Sequence, residues 1–390
     1  MKILHLITRM DGGGSAVNTL LSAQHQAADG HEVTLAFGPS FESAMSKIEK
    51  DNVTACLAAF EEAGGFIEII ENLQREVGLH DKKALTEIRM LMSKGFDIVH
   101  THTSKAGALG RMAIDARIKA KGTKVVHTPH GHIFHSYFGT IKNKVFLKVE
   151  QALAKKTDIL VSLTQAERDD HLDLKVGTSE QWRVVPSGVD VESIAEWVWE
   201  HPLSDAHKPW DTISVGRLVP IKAMDRLIRA WAIVVKTKPD AKLALVGDGQ
   251  ERRALERLAS QYNLIPNIEF LGWCNPIPEL AKAKSFALLS HNEGMGRAVV
   301  EAMAASLPCV VSNVCGLKEL VNESVGFVVD GDDAQAVADA LLTDWSRDMR
   351  YAARERSKAY SIEAMMSGLQ SIYDELVEKD EAKPKPDADE

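Results

Sequence analysis

The chain reads as an α/β protein built from two doubly wound domains, and three observations carry that reading. Its 390 residues are too many for one ordinary core and comfortable for two. Short apolar runs alternate with amphipathic helical stretches, a pattern that forms parallel sheets covered on both faces. The alternation comes as two series, separated by a His- and Pro-containing stretch, His201–Trp210, that has no periodicity.

Lys2–Ile7 is an apolar run ended by glycines, the first expected strand. Ser15 is placed to cap a helix running to about Asp29, with Gly30 as its stop. His31–Phe37 reads as strand again. Residues 38–95 are harder to parse, and the expectation there is helices around one strand near Val53–Leu57. FDIVHTH (96–102), a helix from Ser104, TKVVHT (123–128), a helix over 141–156 and DILVSL (158–163) continue the series, which ends at VVPSGVD (184–190). The second series runs DTISVGR (211–217), a helix from about Ile221, KLALVGDG (242–249), NIEFLGW (267–273), SFALLS (285–290) and PCVVSN (308–313). The expected domains are therefore 1–200 and 207–360, with residues 379–390 a charged, disordered tail.

Composition narrows the function. The net charge is -9, which argues against a general nucleic-acid binder. Residues 82–156 nevertheless carry 15 basic and 4 acidic side chains, interleaved with Phe134, Tyr137, Phe138, Phe146 and Leu147. Solvated helix faces would explain that cluster, and so would a docking face for an anionic membrane or a phosphorylated acceptor. The four cysteines, Cys56, Cys274, Cys309 and Cys315, lack metal-site spacing, and three of them sit in apolar surroundings. They are expected to be buried, reduced thiols of a cytosolic protein. A signal peptide and a membrane span are both missing from the pattern, so the cytoplasm is the expected location.

The chemistry concentrates in HNEGMGRAVVEAMAASLPCVV. If one helix carried both Glu293 and Glu301, their side chains would point about 80° apart and lie about 12 Å apart along the axis. Two carboxylates so spaced could grip two sugar rings of one ligand. Gly294 and Gly296 would open the helix N-terminus to a polar or anionic group. Glu301 lies among Val299, Val300, Ala302 and Met303, where an unpaired solvated role would be costly. Arg217 and Lys222 follow a strand, in the loop position where such sheets bind ligands, and two cations there suit a diphosphate. Gly12, Gly13 and Gly14 lie between the first strand and first helix, where a backbone phosphate cradle can form. His100 and His102 share a strand face, and His127, His130, His132 and His135 follow closely. No carboxylate or cysteine completes a ligand set, so no metal is assigned.

EGMGRAVVEAMAASLPCVV resembles the paired-glutamate signature of the family 4 retaining glycosyltransferases, and VGRLVPIKAMDRLIRA resembles their Arg/Lys motif. MDGGGSAVNTL, HTHTSKAGALGRMA, HTPHGHIF, PSGVD, LVGDG and FLGW extend the likeness over nearly the whole chain. The resemblance implies the GT-B architecture, two Rossmann-like domains facing across a cleft, with a helix at 361–378 returning to the N-terminal domain. It implies that Arg217 and Lys222 hold the donor diphosphate, Glu301 the ribose and Glu293 the transferred hexose. It places His130 beside the anomeric centre and adds Gly13, Gly14, Gly216, Gly272, Gly294, Met295 and Gly296 to the donor site. Lys105, His132 and Tyr137 would meet the acceptor. Two positions depart from the family: Ala223 and Ser306 stand where glycine is usual.

The implied reaction moves a hexose or N-acetylhexosamine, with retention and without metal or cofactor, from a nucleotide sugar with UDP as the preferred nucleotide. The implied acceptor is a lipid-linked or other saccharide of surface polysaccharide or lipopolysaccharide assembly, with possible peripheral contact at the cytoplasmic face of the inner membrane through 82–156. A nucleotide-sugar 2-epimerase and a non-enzymatic nucleotide-sugar binding protein are the alternatives.

Overall fold

A computed structural model of the chain describes residues 1–39, 45, 47–131 and 140–381. The chain forms two compact units, Met1–Pro186 with Met365–Glu390, and Ser187–Ala364.

In the first unit seven strands lie in one sheet: β1 (Lys2–Arg9), β2 (Glu32–Gly38), β3 (Phe66–Ile69), β4 (Ile98–His102), β5 (Lys124–Thr128), β6 (Ile159–Ser162) and β7 (Trp182–Val184). Their spatial order is β3-β2-β1-β4-β5-β6-β7, and every pairing is parallel. The order reverses between β1 and β4, the position where crevices for ligands open at the carboxyl ends of such sheets. Central strands are apolar on both faces, as a doubly covered sheet requires: Ile3, Leu4, Leu6 and Ile7 of β1 are all within 1% of full burial. The helix Ile362–Glu381 contributes Met365, Leu369, Ile372, Tyr373 and Leu376 to the same core as Ile3, Val33 and Val161. Their 3.6-residue spacing makes one apolar stripe, and burying it ties the end of the chain to the first unit.

The second unit holds β8 (Trp210–Val215), β9 (Leu243–Val246), β10 (Ile268–Gly272), β11 (Ala283–Leu288), β12 (Cys309–Ser312) and β13 (Gly326–Val329). They are again all parallel, in the order β10-β9-β8-β11-β12-β13, with the reversal between β8 and β11.

Several expectations need correcting. Val53–Leu57 is not strand; it lies within the helix Lys47–Glu62. Val53, Leu57 and Phe60 fall on one face of that helix and pack on the core, so a short β-branched run was absorbed by a helical period. The strand is β3, two residues beyond a left-handed Gly64 (φ 90°). Ser15 does not cap the first helix, which begins at Gly14 with Gly13 as its cap. Asp11 closes that turn instead, accepting the Gly13 amide at 2.9 Å. The boundary near residue 200 also moves. Helix Val191–Glu200 belongs to the second unit, where it packs on the helices Pro276–Ala281 and Arg297–Ala304.

Of the cysteines only Cys309 is buried; Cys56 and Cys274 are exposed and Cys315 lies between. The basic stretch 82–156 is less of a bare cationic face than its sequence suggests. Arg111 is fully buried against Glu150, and Lys94, Lys105 and Lys119 pair with Glu68, Asp81 and Asp158. Among the described residues no helix is long and apolar enough to cross a membrane.

Candidate functional site

The second unit builds its site where its sheet reverses. Gly216, Gly247 and Gly272 sit at the carboxyl ends of β8, β9 and β10. A side chain on Gly247 (φ 125°) would lie 2.0 Å from the Gly216 carbonyl oxygen, so only glycine lets these turns close on one another. The Leu218 amide donates to the Asp248 carbonyl at 2.8 Å, fixing the loop after β8. That loop leaves Arg217 exposed and turns through Pro220–Lys222 to put Lys222 against Glu293 as an ion pair. Ser290 donates to the same Glu293 carboxylate at 2.7 Å. Lys222 and Glu293 side chains are 20% and 12% exposed, sheltered enough for the pair to matter and open enough to exchange partners. A side chain on Gly216 would meet only Met224 and Lys222, at 3.6 and 3.7 Å, so no described neighbour forbids one.

Glu293 and Glu301 do not share a helix, which corrects the sequence geometry. The helix is Arg297–Ala304, capped by a left-handed Gly296 (φ 91°), and Glu293 stands in the loop before it. Two glycines break the helical path that the spacing argument assumed. The loop is pinned from outside: the Gly316 amide donates to the Glu293 carbonyl at 3.2 Å, and the His291 amide to the Ile221 carbonyl at 2.9 Å. Gly294 and Met295 follow in that loop, Met295 buried. Glu301, within the helix, is raised above the usual carboxylate range by burial, with Arg297 and Lys222 pulling the other way. Arg297 sits one turn earlier and also donates to the Gly188 carbonyl. Burial lowers the Arg297 guanidinium while Glu301 supports its charge.

In the first unit the glycine loop differs from the expected cradle. The Gly13 amide is already taken by Asp11, and Glu49 crowds the space a Gly12 side chain would fill. Arg9, Asp11, Ser15, Arg75, Thr103 and Lys105 instead line a pocket at the carboxyl ends of β1 and β4. Arg9 pairs with Asp11 at 2.7 Å and Lys105 with Asp81 at 2.8 Å. Lys105 is thus placed beside the two strand ends where the sheet reverses.

Next to this pocket lies a buried row of histidines. His5 of β1 is in register with His100 of β4, and the rings of His100 and His102 stack with centroids 4.1 Å apart. Nitrogens of His5, His100 and His102 lie within 4.8 Å of one another. Each is already engaged: His100 with Tyr373 and Thr128 at 2.7 Å each, His5 with Gln26 at 2.7 Å and His102 at 2.9 Å, and His102 with His130 at 2.9 Å. A metal would have to displace these bonds. Burial depresses His5 to about 4 and His130 to about 3, and lowers His100, His102 and His127 as well. His132, Tyr137 and His135 lie outside the described residues.

The family described as Glycosyltransferase Family 4 matches residues 12–193, and that described as Glycosyl transferases group 1 matches residues 196–361. An Escherichia coli enzyme, UDP-Gal:alpha-D-GlcNAc-diphosphoundecaprenol alpha-1,3-galactosyltransferase, is 34% identical over 285 residues, 70% of this chain and 73% of its own. The chain belongs to glycosyltransferase family 4. A GDP-mannose-dependent monoacylated alpha-(1-6)-phosphatidylinositol monomannoside mannosyltransferase of Corynebacterium glutamicum is 29% identical, over 67% of this chain and 71% of that one. Among solved structures, the Anabaena protein HepE in complex with UDP superposes with a TM-score of 0.75 at 20% identity, over 96% of this chain and all of that one. Sucrose-phosphate synthase from Thermosynechococcus elongatus does so at 0.76 and 21%, over 97% and 100%. The fold of this family 4 glycosyltransferase is GT-B.

Two features of this glycosyltransferase were not anticipated from its sequence. Ala223 and Ser306 keep the left-handed turns expected of glycine, at φ 47° and 62°. Thr103 and His130, directly after β4 and β5, are also left-handed, at φ 61° and 58°. Strained residues held at strand ends mark positions the surroundings over-determine, as functional sites commonly do. Glu167 explains the His130 turn: its carboxylate accepts the Gly131 and Leu163 amides at 2.7 Å each. Nothing but a helix-start pattern, Thr164-Gln165-Ala166-Glu167, hinted at it.

Gly316→Ala tests how the loop is positioned, because the new side chain would lie 2.5 Å from the Gly294 carbonyl oxygen. Misplacing Glu293 in this way should lower kcat by about a hundredfold while thermal melting shifts little. Unchanged kcat would show that the loop is not held as described.

Acid should weaken the first unit. His5 has a folded value near 4 against 6.5 when exposed, so the unfolded chain binds the proton more readily. The stability contribution is complete above about pH 6.5 and is lost as pH falls toward 4, at about 1.4 kcal/mol per pH unit for each such histidine. Urea midpoints should fall steadily from pH 7.5 to 5.0; a flat profile would contradict the burial of neutral imidazoles.

Proposed function

We propose that this glycosyltransferase moves a hexose or N-acetylhexosamine from a UDP-sugar to a lipid-diphosphate-linked or other saccharide acceptor in surface polysaccharide or lipopolysaccharide assembly. The carrying observation is the gathering of Arg217, Lys222 and Glu293 at the reversal of the second sheet, with Glu301 one helix beyond. Arg217 and Lys222 supply two positive charges for a diphosphate, enough to steady a departing nucleoside diphosphate without a metal. Glu293 accepts hydroxyls of the transferred sugar and Glu301 those of the ribose, each as the grip on one ring. Gly216, with room above it beside Lys222, lets the phosphates come close.

Transfer proceeds with retention, by departure and attack on one face of the sugar, the leaving phosphate taking the acceptor proton. No protein nucleophile is required. The α-1,3 linkage in the name of the E. coli relative suits that course, as its UDP-galactose and diphosphoundecaprenol acceptor suit the donor and acceptor classes. HepE with bound UDP supports the nucleotide. In the first unit the pocket with Arg9, Arg75 and Lys105 is the place for acceptor phosphate. Work on a lipid-linked acceptor brings the protein into peripheral contact with the cytoplasmic face of the inner membrane.

A panel of UDP-, GDP- and ADP-sugars, each with an undecaprenyl-diphosphate-linked GlcNAc acceptor, tests the proposal. UDP-hexose should give an elongated lipid with the anomeric configuration kept, and Arg75→Gln should raise the acceptor KM with the donor KM unchanged. Release of an epimerised sugar nucleotide without acceptor would make the protein a 2-epimerase, and donor binding without turnover would make it a sensor.

A further inference from the structure

Three hydrogen bonds in series connect the helix Gly14–Ala28 to the turn after β5. Gln26 Oε1 lies 2.7 Å from His5 Nε2, His5 Nδ1 lies 2.9 Å from His102 Nε2, and His102 Nδ1 lies 2.9 Å from His130 Nε2. The first three residues are buried, at most 2% exposed. The series stops at His130, whose Nδ1 is buried and without a hydrogen-bond partner among the described residues.

Such a chain of neutral imidazoles has a direction, because each ring carries one proton and must donate from one nitrogen and accept at the other. The amide end sets it. Gln26 offers its carbonyl oxygen, which only accepts, so His5 donates from Nε2 and accepts at Nδ1. His102 then donates from Nε2, and His130 in turn donates from Nε2. Its outward nitrogen is left as a bare lone pair. The reverse direction would strand a buried N–H donor there, a rarer state than an unfilled acceptor. Neutrality of the rings is consistent with their burial, which lowers every one of them. The left-handed backbone of His130 and the Glu167 carboxylate under the Gly131 amide fix the other end of the ring's position.

We propose that Gln26, His5 and His102 are positioning residues that lock His130 as its Nε2–H tautomer and hold Nδ1 toward the ligand as a fixed acceptor for a sugar hydroxyl. The proposal deepens the reading above and rests on His130 standing beside the transferred sugar. Such an acceptor selects a ligand with a hydroxyl donor at that point and rejects one that is deoxy or methylated there. A ring locked from behind loses no rotational freedom when the hydroxyl arrives.

The test is the ring 15N spectrum of ligand-free protein labelled at histidine, with His130 assigned from the His130→Asn variant. His130 should show a protonated Nε2 and an unprotonated Nδ1 at pH 7. Finding Nδ1 protonated, or an imidazolium, would overturn the proposal without reference to any transfer assay. Gln26→Met should mix the tautomers and lower kcat about tenfold with the donor KM unchanged, the loss of one oriented hydrogen bond, while Gln26→Glu keeps an acceptor and restores both. A Gln26→Met protein with an unmixed tautomer would also overturn the relay. A correct tautomer in a protein whose His130→Asn variant transfers sugar normally would instead leave the relay standing and remove His130 from the sugar.

Discussion

Lys222 and Glu293 face each other across the reversal of the second sheet, and much of the surrounding structure exists to make them meet. The Pro220–Lys222 turn, the left-handed Ala223 after it and the glycines Gly247 and Gly249 bring Lys222 in from one side. Ser290, the Gly316 amide and the left-handed Gly296 bring Glu293 in from the other. An ion pair this sheltered is costly to break by deleting one partner, since the other is left poorly solvated. A ligand that brings its own anion changes the balance. A diphosphate gives Lys222 a more highly charged partner, and Glu293 is then free to accept hydroxyl hydrogen bonds from the sugar. The pair therefore acts as a placeholder that keeps both side chains in position while the donor is away.

The first unit solves a different problem. It sets polar rings within the carboxyl half of a sheet whose strands are otherwise apolar on both faces. His5, His100, His102 and His127 can be there because each finds a side-chain or backbone partner, and because each stays neutral. Tyr373 couples this row to the last helix, its hydroxyl 2.7 Å from His100. The end of the chain thus takes part in the polar core as well as in the apolar one.

The doubly wound architecture was legible because βα alternation leaves a period that tertiary contacts seldom override, and the glycine and charged motifs sat at the expected strand ends. Three things were hidden. Val53–Leu57 looked like strand because β-branching is a local signal, whereas its packing with Phe60 is not. The Glu293–Glu301 spacing suggested one helix, since a projection cannot see that Gly296 turns left-handed. Gln26, His5 and Glu167 were missed because each acts through a partner distant in sequence, His5 to His102 being 97 residues apart. Ala223 and Ser306 were visible as departures from glycine, but only backbone angles reveal that the turn survives them.

The placeholder role of the ion pair is tested most directly by calorimetric titration of UDP into the wild type, Lys222→Met and Glu293→Gln proteins. Removing the cation should weaken UDP binding at least about tenfold, a loss in the range of one charge-assisted contact. Removing the competing carboxylate should leave UDP binding as tight as in the wild type, or tighter. Equal affinity in Lys222→Met, or weakened affinity in Glu293→Gln, would contradict the account.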